Sequence, residues 1–102
     1  MEPREIYRSL IRLYILAGAA RESISAAGFT EKLGERGLTV SRRSTQRVLS
    51  EFEAKGYLAS RDVRNGRAGR MYAITKAGQR QLVDARRRIR SLIEIFDSNR
   101  GA

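Results

Sequence analysis

Cysteine and histidine are both absent from the 102-residue chain. Their absence removes disulfides, Cys/His zinc sites, Ser-His nucleophile pairs and imidazole acid-base chemistry together, so neither a metal nor another cofactor is expected. Proline occurs once, at Pro3, where a missing N–H does no harm at the start of a helix. No apolar run approaches the roughly 20 residues of a membrane helix, and no membrane-spanning segment is expected. The basic start leads through Leu13 to Ala20 into a small-residue Ala-Gly-Ala-Ala stretch, which has the outline of a secretory signal. Arg8 and Arg12 interrupt its apolar part, so it reads instead as a first structural helix. Acidic residues are also few. Eleven Asp and Glu stand against twenty-one Lys and Arg, a formal charge of +10. On so small a body this excess favours a polyanionic partner, nucleic acid ahead of an anionic membrane surface. One small domain with a thin core is expected, for which a partner subunit would supply further burial.

The most informative stretch runs from Val40 to Leu58. At about 100° per residue, Thr45, Val48, Leu49 and Phe52 share one side of a helix, while Arg42, Arg43, Gln46, Arg47 and Ser50 share the other. Ser41 stands at the N-cap position and Gly56 where a C′ glycine closes a helix. Arg, Gln, Ser and Thr are the residue types that reach bases and phosphates, with Arg bidentate to guanine and Gln bidentate to adenine. Alone, DNA contact and plain solvation account for this face equally well.

The flanking segments break the tie. Ile6, Leu10, Leu13 and Ala17 form one face of helix 1, opposite Arg4, Arg8 and Arg12. Gly18 to Glu22 reads as a connection. Ser23 or Ser25 then caps a second helix to about Arg36, with Ile24, Phe29 and Leu33 buried. Gly37 ends it, and residues 38–40 lead into the basic helix. That order is the helix-turn-helix plan. Beyond Gly56, residues 57–63 and 70–75 read as two strands joined by a loop with an Asn-Gly pair. Arg61, Arg64, Arg67 and Arg70 decorate this hairpin with Asn65 at its tip, as a wing beside a recognition helix would require.

Thr75 caps a last helix from about Lys76 to Phe96, along which Leu82, Ala85, Ile89, Leu92 and Phe96 follow three- and four-residue steps with Ile93 beside them. Such a helix exceeds what a small domain needs to cover its own core, so a seam with a second copy is expected. Arg86, Arg87, Arg88 and Arg90 flank the seam in solvent. The pairs Glu31/Glu35 and Glu51/Glu53 lack a partner that would tune a carboxylate for acid-base work, and no enzyme is expected. The Gly66-Arg67-Ala68-Gly69 match to the KH loop is discarded, because that loop joins helices and this one joins strands.

Val40 to Leu58, followed by Gly66 to Gly78, resembles the PadR family of winged-helix transcriptional regulators. The wing's Gly-Arg loop, Tyr72, Ile74 and the Thr75-x-x-Gly78 motif carry most of the likeness, with Phe52-Glu53 and Gly56 at the end of the recognition helix. It departs from the pattern at Arg42 and Ala68, where proline is usual, and at Thr45-Gln46, where Leu-Tyr is usual. Gln46 would therefore have to read bases in place of the tyrosine.

The resemblance implies a mainly α fold with a small β-hairpin wing (α+β): a winged helix-turn-helix over 1–75, a C-terminal dimerisation helix over 76–96 and a flexible tail over 97–102. It implies a cytoplasmic, nucleoid-associated homodimer that binds double-stranded DNA at an inverted repeat as a repressor. Ser41, Arg42, Arg43, Ser44, Gln46 and Arg47 of the helix, and Arg61, Arg64, Asn65, Arg67 and Arg70 of the wing, are the expected DNA contacts. Leu82, Ala85, Ile89, Leu92, Ile93 and Phe96 are the expected dimer interface. The resemblance also implies, as for many such regulators, release of DNA by a small hydrophobic effector bound near that interface, and Tyr7, Tyr14 and Phe96 are candidates to line such a pocket. Two other readings follow from charge and fold alone: an architectural protein that coats DNA without sequence preference, and a winged-helix protein-interaction module.

Overall fold

The computed structural model describes residues 3–63 and 69–100, apart from the side chains of residues 3, 4, 99 and 100. Helices α1 (Pro3–Arg21), α2 (Ala26–Glu35) and α3 (Arg42–Ala54) precede an antiparallel hairpin of β1 (Leu58–Val63) and β2 (Gly69–Ile74), and α4 (Lys76–Arg100) follows. This is the expected winged-helix arrangement. The core gathers Ile15, Leu16 and Ala19 of α1, Phe29 and Leu33 of α2, Leu49 and Phe52 of α3, and Leu58 and Tyr72 of the hairpin.

Helix α1 carries apolar residues on two opposite sides. Ile15, Leu16 and Ala19 are buried, and Ile11 packs against them. The stripe read from the sequence is the other side: Ile6 and Leu10 are exposed, and Leu13 and Ala17 are only half-buried. Periodicity identifies an apolar face, but it does not say which of two faces the core will cover. Helix α1 also runs on through Gly18 to Arg21, where a connection was expected. Gly18 is a packing position there, because a Cβ would collide with the Phe29 ring.

Ser25 rather than Ser23 caps α2, its hydroxyl accepting from the Gly28 N–H at 3.0 Å. Ile24 is buried, as expected, but outside the helix. Its backbone exchanges two hydrogen bonds with Tyr72, at 2.9 and 2.8 Å, as a one-residue antiparallel bridge beside β2. Helices α2 and α3 end alike. Leu38 N–H donates to Leu33 O at 2.9 Å and Tyr57 N–H to Phe52 O at 2.8 Å, closures that need the positive φ of Gly37 (82°) and Gly56 (81°).

The junction of hairpin and α4 explains the Thr-x-x-Gly motif. The Thr75 hydroxyl donates to Gly56 O at 2.6 Å and accepts from the Gly78 N–H at 3.1 Å, capping α4 while tying it to the end of α3. Gly78 then lies so close to the chain that a Cβ would meet the Tyr57 carbonyl and the Ile74 side chain. Twenty-five residues of α4 span about 37 Å. The radius of gyration is 15.1 Å, where a compact chain of this length has about 13 Å. Helix α4 therefore projects. Leu82 packs on the chain's own core and Ala85 is half-buried, but beyond them Ile89, Leu92, Ile93, Ile95 and Phe96 are exposed, Phe96 by 70%. The helix continues to Arg100 instead of giving way to a tail at Asp97, since no glycine or proline interrupts residues 79–100. Residues 101 and 102 lie outside the described part.

Candidate nucleic-acid interface

Helix α3 is fastened to the body along one side. Thr45, Leu49 and Phe52 are buried and Val48 is half-buried. The N-terminus is built by Ser41, whose Oγ accepts from the Ser44 N–H at 3.0 Å and lies 2.9 Å from the Ser44 hydroxyl. The first backbone N–H groups of a helix point outward without intrahelical partners, and together with the helix dipole they favour an anion at this end.

The outward side separates charge by position. Arg42, Arg43 and Arg47 are exposed and form no ion pair among the described residues. The two carboxylates of α3 sit further along and are engaged. Glu51 receives Arg12 of α1 at 2.8 Å, and the same guanidinium lies 4.9 Å from the centre of the Phe52 ring. This hydrogen bond, then the charge of Arg12, with Lys55 and Arg47 adding, holds the Glu51 carboxyl below its ordinary range. Glu53 accepts from the Ser60 hydroxyl on β1. The first half of α3 thus presents guanidinium groups that form no ion pair among the described residues, and the second half is stapled to α1 and the hairpin.

Gln46 lies at the edge of this face that turns toward the hairpin. Its amide nitrogen is 2.8 Å from the Tyr72 hydroxyl and 3.3 Å from the Ser50 hydroxyl. Sequence reasoning saw Tyr72 only as part of a motif, because a contact between residues 26 apart leaves no local signal.

In the hairpin, Arg61 is exposed opposite Met71. Arg70 pairs across the strands with Asp62 at 3.6 Å and donates to Ser60 Oγ at 3.0 Å, so it is partly committed within the wing. Arg64, Asn65 and Arg67 lie outside the described residues. A groove of about 690 Å³ separates α1 from the start of α3 and includes Tyr7; a second, of about 410 Å³, includes Tyr14. Tyr7 and Tyr14 line different grooves, and Phe96 borders neither of them. None of the described helices is long and apolar enough to cross a membrane.

The chain matches none of the protein-family models compared with it. A PadR-like transcriptional regulator from Bacillus cereus superposes with a TM-score of 0.80 at 18% identity, over 92% of this chain and 94% of the other. A PadR family regulator from Eggerthella lenta gives 0.80 at 21% identity, over 92% and 84%. These likenesses establish the fold. Transcriptional regulator Rv3488 of Mycobacterium tuberculosis is 38% identical over 90 residues, which cover 87% of this chain and 84% of the relative. The chain belongs to the PadR family of winged-helix transcriptional regulators. Within that PadR frame, α3 occupies the recognition-helix position, the hairpin is the wing, and Thr75 and Gly78 join the wing to α4.

Proposed function

We propose that this PadR protein is a homodimeric repressor that binds an inverted-repeat operator. The observation that carries the reading is the first half of α3: three exposed arginines that form no ion pair among the described residues, on a helix capped by Ser41 and anchored through Thr45, Leu49 and Phe52. Arg42, Arg43, Ser44, Gln46 and Arg47 meet base edges and phosphates in the major groove, while Ser41 sets the helix start. Arg61 and Arg70, with Arg64, Asn65 and Arg67 of the segment that joins the two strands, hold the flanking backbone or minor groove. Dimerisation is supported by the exposed apolar length of α4, Ile89 to Phe96, together with Ile6 and Leu10 on the uncovered side of α1. Two-fold symmetry then sets the recognition helices about one DNA turn, roughly 34 Å, apart. A small hydrophobic effector would bind in the cavity that two copies close around Tyr7, Tyr14 and Phe96. Such a regulator acts in the cytoplasm, at the nucleoid.

The test is selection from a random duplex pool at near-physiological salt, with the mass of the complex measured in parallel. An enriched inverted repeat bound by two chains is the expected result. Retention without a motif would make the protein an architectural DNA binder, and no retention would assign the basic faces to another partner.

A further inference from the structure

One strongly charged face of the chain takes no part in the reading above. Lys76, Arg80, Val83, Arg87 and Arg90 follow four- and three-residue steps along α4, so they form a straight row, and all five are exposed. The apolar seam from Leu82 to Phe96 follows the same steps on the opposite side of the helix, about 160° away at about 100° per residue. A second copy seated on the seam leaves this side uncovered. Resting on the DNA-reading function proposed above, we infer that the row is a second docking surface, which holds the sugar-phosphate backbone of another DNA duplex without regard to sequence and lets an operator-bound dimer bridge two segments.

The row does not serve the helix itself. None of its four cations forms an ion pair among the described residues, where the pair within α4 is Asp84 with Arg88 at 2.9 Å. Lys76 and Arg80 are four residues apart and Arg87 and Arg90 three, spacings at which like charges repel. Lys76 also stands in the first turn, where the helix dipole disfavours a cation and no acidic residue offsets it. Each placement weakens the isolated helix, and an anion outside the chain reverses the sign of all of them.

The chemistry fits phosphate better than an acidic protein. Three of the four cations are arginine, whose planar guanidinium takes a phosphate through two parallel N–H bonds. The row is about 21 Å long, the rise of about six base pairs. A protein interface needs a desolvated apolar centre, and Val83 is the one apolar residue of the five. Helix α4 packs on α1 and β2, and α1 in turn on α3. The row therefore belongs to a different side of the body from the exposed arginines of α3 and the duplex they hold.

The experiment uses the operator selected by the wild-type chain, cut to the length of the site, immobilised and saturated with protein. After washing, a labelled random-sequence duplex of about 20 base pairs is titrated over the complex between about 50 and 200 mM salt. Capture is expected with a Kd of about 1–100 μM and a slope of log K against log salt of about −3 to −4, for four neutralised phosphates. The triple variant Arg80→Gln, Arg87→Gln, Arg90→Gln should hold the operator within about threefold of wild type and capture the second duplex at least tenfold more weakly, with the slope reduced by about 3. It should melt no lower than wild type, because glutamine keeps the helix propensity and removes the repulsion. No capture by the wild-type complex, or equal capture by the variant, would overturn the inference. So would an operator lengthened by about ten base pairs, roughly one turn, at each end that binds wild type more tightly and the variant no better, which assigns the row to the flanks of a single duplex. Stronger displacement of the labelled duplex by poly-glutamate than by unlabelled duplex at equal charge would do the same, in favour of an acidic protein. A wild-type chain that retains no operator would remove the regulator reading as well.

Discussion

A single charge on α4 provides the sharpest test of assembly. Ile93 is 53% exposed and Leu92 55%, so a change at Ile93 touches little in the chain's own core and should cost the monomer no more than about 0.5 kcal/mol. In a two-fold dimer the same residue counts twice. Covering the exposed half of an isoleucine contributes about 1 kcal/mol, and forcing a carboxylate into that seam adds about 1–3 kcal/mol of desolvation at each site. Ile93→Glu should therefore weaken association by about 4–8 kcal/mol, a factor of a thousand or more in Kd. Sedimentation equilibrium from about 0.1 to 100 μM, where stable interfaces of this kind are populated, should show a dimeric wild-type mass and a monomeric variant. Circular dichroism should show unchanged helix content. A variant that stays dimeric, or a wild-type chain that is monomeric throughout, would refute the assignment of this face.

Arg43→Ala and Arg47→Ala should each weaken DNA binding, and each that meets a phosphate should reduce the slope of log K against log salt by about 1; unchanged affinity in both would remove the helix from the interface. The lowered Glu51 pKa gives a signed pH effect. A depressed folded-state value contributes stability above the ordinary value near 4.5 and loses it as pH falls through the folded value, so the Tm advantage of wild type over Arg12→Met should shrink below that pH. A constant difference in melting scans would show that Arg12 acts through the Phe52 ring alone. Gly78→Ala should destabilise the chain by about 1–3 kcal/mol through collision with the Tyr57 carbonyl, while Gly34→Ala, which meets open space on α2, should stabilise it by about 0.5–1 kcal/mol. Chemical denaturation measures both, and equal effects would contradict the packing described at Gly78.

How legible each element was in the sequence depends on how many independent signals coincide there. Helix α3 had a capping serine, a closing glycine and an apolar period that agreed, and its ends and buried side are as read. Helix α1 had only the period, and two apolar stripes satisfied it, so the covered side could be settled only by tertiary packing. The Ile24–Tyr72 bridge is a single residue pair and leaves no alternation to detect. Gly18 looked like a break because glycine usually is one. Here it admits the Phe29 ring, a requirement set by another helix. The same holds at the interface: the exposed arginines of α3 were visible as a pattern, whereas the partners of Arg12, Arg70 and Gln46 come from other elements.

Thr45 and Gln46 show how neighbouring polar residues tie α3 to two different elements. A threonine in place of a core leucine would leave a buried hydroxyl unsatisfied, at a cost of about 1–3 kcal/mol. Thr45 is fully buried, yet its oxygen accepts from the Thr30 hydroxyl at 2.8 Å and its own hydroxyl lies 3.3 Å from Ser41 O. Helices α2 and α3 are therefore clasped by a directional bond where a leucine would give only contact area. One residue along, Gln46 makes the equivalent link from α3 to the wing through Tyr72. Hydrogen bonds are directional, so two of them to different elements add to the apolar packing that fixes the rotation of α3 about its axis. Arg43 and Arg47 stand exposed on the same helix, so their directions follow from how α3 is held.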